Sequence, residues 1–119
     1  MQELFLTLPY PPSINSYWGF KGHRRFLTKK ANEFKQLVAI EVTKSNVKFG
    51  ETLLEAHIKW YCPDKRIRDI DNPLKPLFDS LVQANLMNDD SQIRRIEIEF
   101  STIVRGGKAE ILLFPYKNK

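Results

Sequence analysis

Hydrophobic residues recur at every second position in three short segments of the chain, and this period-two pattern predicts strands of a half-buried sheet. These strands are residues 4–8, 54–62 and 96–100, and residues 109–114 are predicted to form a fourth strand. Pro9 and Pro63 follow the first two strands directly and end their hydrogen-bonded ladders. Arg105-Gly106-Gly107 lies between the last two strands and predicts a hairpin loop.

Apolar residues at helical spacing predict two helices. Thr28 is a suitable cap for the first helix. Its apolar stripe consists of Ala31, Phe34, Leu37, Val38 and Val42. In the second helix, Pro73 suits the first turn and Asn72 the cap, ahead of an apolar face of Leu74, Leu77, Phe78 and Leu81. Residues 10–27 are expected to be irregular, and residues 45–51 form a connection.

The order of the predicted elements is strand, helix, strand, helix, strand, strand. The chain has neither an internal repeat nor a low-complexity linker, so residues 1–119 are expected to form a single domain. We predict an α+β fold in which two helices pack on a largely antiparallel sheet.

The composition restricts the partners and the compartment of the protein. A net charge of +5 and a pI of about 9.4 favour an anionic partner such as nucleic acid. Cys62 is the only cysteine, which excludes an intrachain disulfide and a thiolate-rich zinc site. The N-terminus lacks the pattern of a signal peptide, and no apolar run has the length of a membrane span. A cytoplasmic protein without a membrane partner is therefore expected.

A group of carboxylates in the middle of the chain is the strongest chemical signal. Asp69 and Asp71 are two residues apart in a segment that reads as extended, so both side chains can point to the same side. Asp90 or Asp89, after the second helix, can supply a third carboxylate. Three basic residues lead into the segment: Lys65, Arg66 and Arg68. Carboxylate oxygens suit a hard cation such as Mg²⁺, and a basic surface attracts a phosphodiester backbone.

Each of these residues also has a purely structural interpretation. Asp71 can act as a helix cap, and Asp89 and Asp90 can belong to a solvated turn. Lys75 can stabilise charge on a phosphoryl group, or it can simply pair with Asp79 one helical turn later. His57 is interpreted as a surface residue, because two histidines without matched spacing do not indicate a histidine-based metal site.

Between the first strand and the first helix, aromatic and basic residues are interleaved. The rings are Tyr17, Trp18, Phe20 and Phe26. Such rings can stack on unpaired bases while the cations contact phosphates, although a loop whose rings dock on the core remains the alternative. The predicted DNA-binding residues are Arg24, Arg25, Lys29, Lys30, Arg66 and Arg68.

Several segments together resemble the RusA family of Holliday junction resolvases. They are residues 8–15 (LPYPPSIN), 68–72 (RDIDN) with Lys75, 78–79 (FD) and 88–93 (NDDSQI), which occur in this order across nearly the whole chain. The combined pattern is specific, whereas none of its parts is. Asn15 and Asn72 match asparagines of the pattern without a role that the sequence assigns. Pro73 is a departure from the expected pattern, and it should be harmless at the start of a helix.

The resemblance implies a homodimeric endonuclease that nicks four-way junction DNA symmetrically in two strands, in recombination and repair. By position, it places the catalytic and metal-binding carboxylates at Asp69, Asp71 and Asp90 and the catalytic lysine at Lys75. The implied cofactor is Mg²⁺, or Mn²⁺ in its place. Such proteins often come from prophage regions, so a phage-related origin is also expected.

Two other functions are compatible with parts of the sequence. One is a DNA-binding protein with a degenerate site, which would bind junctions without cutting them. The other is a phosphotransferase with Asp69 as its nucleophile. That chemistry requires the aspartate at the end of an apolar strand in a larger chain, whereas here Lys65, Arg66 and Arg68 precede it.

Overall fold

The computed structural model describes residues 2–117, in which a four-stranded sheet carries its helices on one face and a separate two-stranded hairpin lies beside them. The elements are β1 (Leu4–Leu8), α1 (Ile14–Tyr17), β2 (Trp18–Lys21), β3 (Arg24–Leu27), α2 (Lys29–Ser45), β4 (Leu54–Tyr61), α3 (Leu74–Gln83), a 3₁₀ turn (Asp90–Gln92), β5 (Ile93–Phe100) and β6 (Lys108–Pro115). The predicted α+β class is confirmed.

The strand order of the sheet is β1-β6-β4-β5. β6 pairs antiparallel with both β1 and β4, whereas β4 and β5 run parallel. The predicted hairpin at residues 105–107 is therefore wrong, because β5 and β6 lie on opposite sides of β4. The connection between them crosses the end of β4, where Ser101 and Val104 donate backbone hydrogen bonds to the carbonyls of Trp60 and Cys62.

The core lies between the sheet and helices α2 and α3. Alternate residues of β4 point into it and are buried: Leu54, Ala56, Ile58 and Trp60. Ala31, Phe34, Val38 and Val42 of α2 are buried as their spacing predicts, whereas Leu37 is exposed. The predicted cap is confirmed, since the Thr28 hydroxyl accepts a hydrogen bond from the Ala31 N–H at 3.2 Å. Within residues 2–117, none of the helices is both long and apolar enough to cross a membrane.

Residues 10–27 are more ordered than predicted. Ser13 caps the short helix α1, and the chain then forms the β2–β3 hairpin, whose turn contains Gly22 at φ 65°. Gly19 faces Phe26 across this hairpin, and a Cβ at Gly19 would lie 2.5 Å from the Phe26 ring. The hairpin therefore depends on a contact across strands, which local propensity does not reveal.

The start of α3 also differs from the prediction. Leu74 is the first helical residue, and Pro73 occupies the cap position without a side-chain hydrogen bond. Asn72 does not cap the helix, because its side-chain oxygen accepts the N–H of Ile14 at 3.0 Å. This bond ties the carboxylate-bearing loop to the N-terminal segment.

Candidate active site

Residues 62–73 form the loop that carries Asp69 and Asp71, and the core anchors this loop at one point. The indole Nε1 of buried Trp60 donates a hydrogen bond to the carbonyl of Ile70 at 2.7 Å. Ile70 lies between the two aspartates, whose side chains are exposed. Within the described residues, no basic side chain lies within ion-pair distance of either carboxylate. Both are thus open to an external cation.

Lys75 in the first turn of α3 links this region to the turn before β5. Its Nζ lies 3.0 Å from Asp90 Oδ2 and 3.1 Å from Asp79 Oδ1. The pair with Asp79 was foreseen from the i,i+4 spacing, whereas the contact with Asp90 requires the tertiary fold. Hydrogen bonds to Asp90, and then to Asp79, raise the pKa of Lys75 above its ordinary value. The ammonium group is therefore held in its charged form between two carboxylates.

The structure also separates the roles of Asp89 and Asp90. The Asp89 carboxylate accepts the N–H of Ser91 at 3.0 Å and caps the 3₁₀ turn. Hydrogen bonds to Ser91, side chain first and then backbone, lower the pKa of Asp89. Asp90, one residue later, turns to Lys75. Of the two candidates for a third carboxylate, Asp90 is thus the one next to the lysine.

Gln92 fixes this turn, a role that was not predicted from the sequence. The buried side chain accepts the N–H groups of Asn88 and Asp89, each at 2.8 Å. It also donates to the carbonyls of Gly50 at 2.7 Å and Thr52 at 2.8 Å. The signal was present, because an aspartate followed three residues later by glutamine is a capping-box pattern.

Substitution of Gln92 should mainly affect stability. In Gln92→Ala, the two N–H groups and two carbonyls lose their partner in a partly buried setting, and we expect a loss of about 2 kcal/mol. Gln83→Ala, at an exposed position of α3, is the matched control and should be nearly neutral. Urea denaturation of both variants measures the difference. Equal stability of Gln92→Ala and the wild type would contradict the assigned role.

The predicted metal ligands fit a hard cation in chemistry but are not gathered around one point. Their oxygen donors suit Mg²⁺. The three side chains of Asp69, Asp71 and Asp90 do not form a group with ligand atoms within 4.8 Å of one another in the described part of the chain. Asp90 is held by Lys75 instead. A cation held by all three carboxylates would therefore require them to move closer together, with Asp90 shared between the cation and Lys75.

A different group does meet that distance among residues 2–117, namely Glu55, His57 and Glu97. His57 Nε2 lies 2.6 Å from Glu55 Oε2 and 3.2 Å from Glu97 Oε2. The Arg95 guanidinium already neutralises both glutamates, at 3.4 and 3.3 Å. This group lies on the face of the sheet opposite the helices. The prediction that His57 is only a surface residue missed these contacts, because Glu97 reaches it through strand pairing.

A surface cleft of about 520 Å³ runs along the carboxylate-bearing loop. Asp69 and Asn72 line one part of it, and Asn15 lines another. Three of the predicted DNA-binding residues, Lys30, Arg66 and Arg68, line the same cleft. The fold therefore places basic side chains from distant parts of the sequence on the same cleft as Asp69.

The predicted DNA-binding residues differ in how far they are exposed. Arg24, Arg25 and Lys29 are exposed, and the Arg25 guanidinium lies 3.9 Å from the centre of the Trp18 ring. Arg68 is largely covered and lies 2.9 Å from Asp64 Oδ1. The Arg68 guanidinium holds the pKa of Asp64 well below its usual range. Arg68 orders the loop, and it is less available to DNA than the others.

The aromatic side chains between residues 17 and 26 divide between the two interpretations of the sequence, rings that dock on the core and rings that can stack on bases. Tyr17 is buried in the protein and Trp18 is half-buried. Phe20 is 70% exposed at the hairpin, and Phe26 is also exposed. The first two rings hold the hairpin against the domain, while the last two are open to stack on another molecule.

An α+β domain that carries exposed carboxylates on a loop along a basic cleft has the surface chemistry of an enzyme that acts on phosphodiesters. The family model described as Endodeoxyribonuclease RusA matches residues 9–113, and the chain belongs to this family.

Individual relatives agree with this assignment. The chain is 35% identical, over 93% of its length and 93% of the relative's, to a protein of Enterobacteria phage HK97 named crossover junction endodeoxyribonuclease rusA. It is 28% identical, over the full length of both chains, to proteins of the same name from Enterobacteria phage 82 and Escherichia coli K12.

Proposed function

We propose that the protein is a crossover junction endodeoxyribonuclease that resolves four-way (Holliday) junctions by paired symmetric nicks. The observation that carries the proposal is the contact of Lys75 with Asp90, because it joins the turn before β5 to the start of the helix that directly follows the loop with Asp69 and Asp71. The names of its relatives supply the reaction. In this proposal, a water molecule attacks the scissile phosphate, and the leaving oxygen takes up a proton.

Asp69, Asp71 and Asp90 are the residues that would hold Mg²⁺, or Mn²⁺ in its place. A bound cation of this kind polarises a phosphate oxygen and lowers the pKa of water. Exposure of Asp69 and Asp71 supports this role. Their position on a loop tied to Trp60 and to Ile14 supports it as well, because an anchored ligand loses less conformational freedom on binding.

Lys75 is proposed to stabilise the negative charge that develops on the phosphate. Its ammonium group has two carboxylate partners. Asp79 can keep the ammonium group beside the site when a cation takes over Asp90. The ion pair with Asp79 would thus prevent the Lys75 side chain from moving into solvent.

DNA binding is assigned to the exposed cations Arg24, Arg25, Lys29, Lys30 and Arg66, with Arg68 in a supporting position. We expect the junction affinity to fall steeply as the salt concentration rises. In a plot of log affinity against log salt concentration, each phosphate that the protein neutralises contributes about −0.9 to the slope. Arg24→Ala with Arg25→Ala should make this slope shallower. Lys59→Ala, exposed on the far face of the sheet, is the control and should leave the slope unchanged. Titrations of a labelled junction at several salt concentrations measure both, and a flat salt dependence would exclude this surface.

The proposed activity is tested with a labelled four-way junction and a linear duplex of matched sequence. With Mg²⁺ the protein should nick the junction at paired positions and leave the duplex intact. If the protein binds the junction but does not nick it with any divalent cation, the alternative of a non-catalytic DNA-binding protein is favoured. A covalent phospho-aspartate at Asp69 would favour the phosphotransferase, although β4 ends at Tyr61 and Asp69 lies in the loop beyond it.

The proposal includes a homodimer, because a junction presents two equivalent strands and a twofold dimer presents two identical sites. Location in the cytoplasm remains a prediction from the sequence, as does a prophage origin.

A further inference from the structure

Strand β5 forms one edge of the sheet. It pairs with β4 on one side, and no segment among residues 2–117 pairs with its other side. The strand has eight residues, compared with five in β1 at the opposite edge. An edge strand of this length offers a row of backbone N–H and C=O groups to another chain.

The apolar side chains of β5 are also left uncovered. Ile96 stands opposite buried Ala56 and is 40% exposed, and Phe100 stands opposite buried Trp60 and is 44% exposed. These two residues face the helix side of the sheet, but the helical layer does not cover them. Burial of their apolar surface in an interface would be favourable, at about 25 cal/mol per Å².

The charges of β5 are arranged so that the strand complements itself. Arg94 and Arg95 lie in its first half, and Glu97 and Glu99 lie in its second half. Antiparallel pairing of two copies sets the basic half of each strand against the acidic half of the other. Arg95 pairs with Glu97 of its own chain at 3.3 Å, and in the dimer it would exchange this contact for one with Glu97 of the partner subunit. In that register Ile96 falls on the twofold axis and meets its own copy. Parallel pairing would instead set like charges side by side, which is unfavourable.

We propose that the homodimer forms by antiparallel pairing of β5 with β5 of a second copy, which joins the two sheets into one. This inference rests on the proposed function, because it places the two sites that paired nicking requires. A twofold axis perpendicular to the sheet keeps both helical layers on the same side. The turn with Asp90 leads into the first residue of β5, and Arg66 lines the same surface cleft as Phe100, its last residue. Antiparallel pairing centred on Ile96 would therefore bring the Asp90 turn of each copy toward the Arg66 loop of the other and place both candidate sites along the interface. One junction can then contact both.

Cysteine cross-linking tests the interface in a Cys62→Ser background. Ile96→Cys should give a disulfide-linked dimer on mild oxidation. Phe5→Cys, at a side chain that is 57% exposed on β1, should stay monomeric on a denaturing gel. Cross-linking of Phe5→Cys alone would assign the dimer to the other edge or the outer face and overturn the proposal. Absence of both cross-links would overturn it as well.

Charge substitutions provide a second measurement that does not depend on a disulfide. Arg95→Glu should weaken the dimer at least tenfold in sedimentation velocity, and Arg95→Glu combined with Glu97→Arg should restore it. If neither variant changes the dimer, the β5 interface is wrong. Junction nicking by the wild type distinguishes the proposed interface from the proposed activity. If the protein makes paired nicks but β5 does not cross-link, only the interface is wrong. If β5 cross-links but the protein never nicks a junction, only the activity is wrong.

Discussion

Asp71→Asn should abolish nicking while the protein still folds and binds a four-way junction. Asparagine keeps the shape of the side chain and removes the charge that holds a divalent cation. Asp71 is exposed and contributes to no described ion pair, so folding should be unaffected. Junction affinity should stay the same or rise, because one negative charge near the phosphates is gone. Single-turnover nicking with Mg²⁺, together with binding in its absence, measures the two effects separately.

The pair Asp90→Asn and Asp89→Asn sharpens this test, because the two residues are adjacent. Asp90→Asn should be inactive, since it loses both the proposed metal ligand and the charged partner of Lys75. Asp89→Asn should nick at a near-normal rate, because asparagine caps a turn about as well as aspartate does. Near-normal nicking by both Asp71→Asn and Asp90→Asn would show that the site is assigned to the wrong carboxylates.

Lys75→Ala should lower the nicking rate about a hundredfold or more and leave junction binding nearly unchanged. The reason is that its ammonium group is proposed to interact with charge that exists only in the transition state. Stability should change by only a few tenths of a kcal/mol, because the ion pairs of Lys75 are exposed. Single-turnover nicking at saturating enzyme, alongside thermal denaturation, distinguishes the catalytic role from the structural one.

Two further variants control for charge and geometry. Lys75→Arg keeps the positive charge but replaces a compact ammonium with a wide planar group, so a site of strict geometry should remain impaired. Lys44→Ala removes another helical lysine that is paired with a glutamate, Glu41, and it should nick normally. Full activity of Lys75→Ala would remove Lys75 from the catalytic set and leave the carboxylates as the whole site.

The elements that the sequence determines by itself are those whose pattern records burial on one face. The alternation in β1 and β4 and the stripe on α2 correspond to strands and a helix that each contact the core on one side. Thr28 is likewise a local signal, since a cap interacts with residues only a few positions away. Local patterns of this kind survive folding because period and burial are set by the same backbone geometry.

The tertiary structure decided which partners those elements acquire. Asn72 was predicted to cap α3, but its side chain accepts the N–H of Ile14 instead. β5 was predicted to form a hairpin with the last strand, but it pairs in parallel with β4. The contact between Lys75 and Asp90 joins residues 15 positions apart, from two different elements. The sequence determined the residue types of the site, whereas long-range contacts determined which of these residues meet. The reason is that each polar group can bond only a few partners, and tertiary packing decides which partners come within reach.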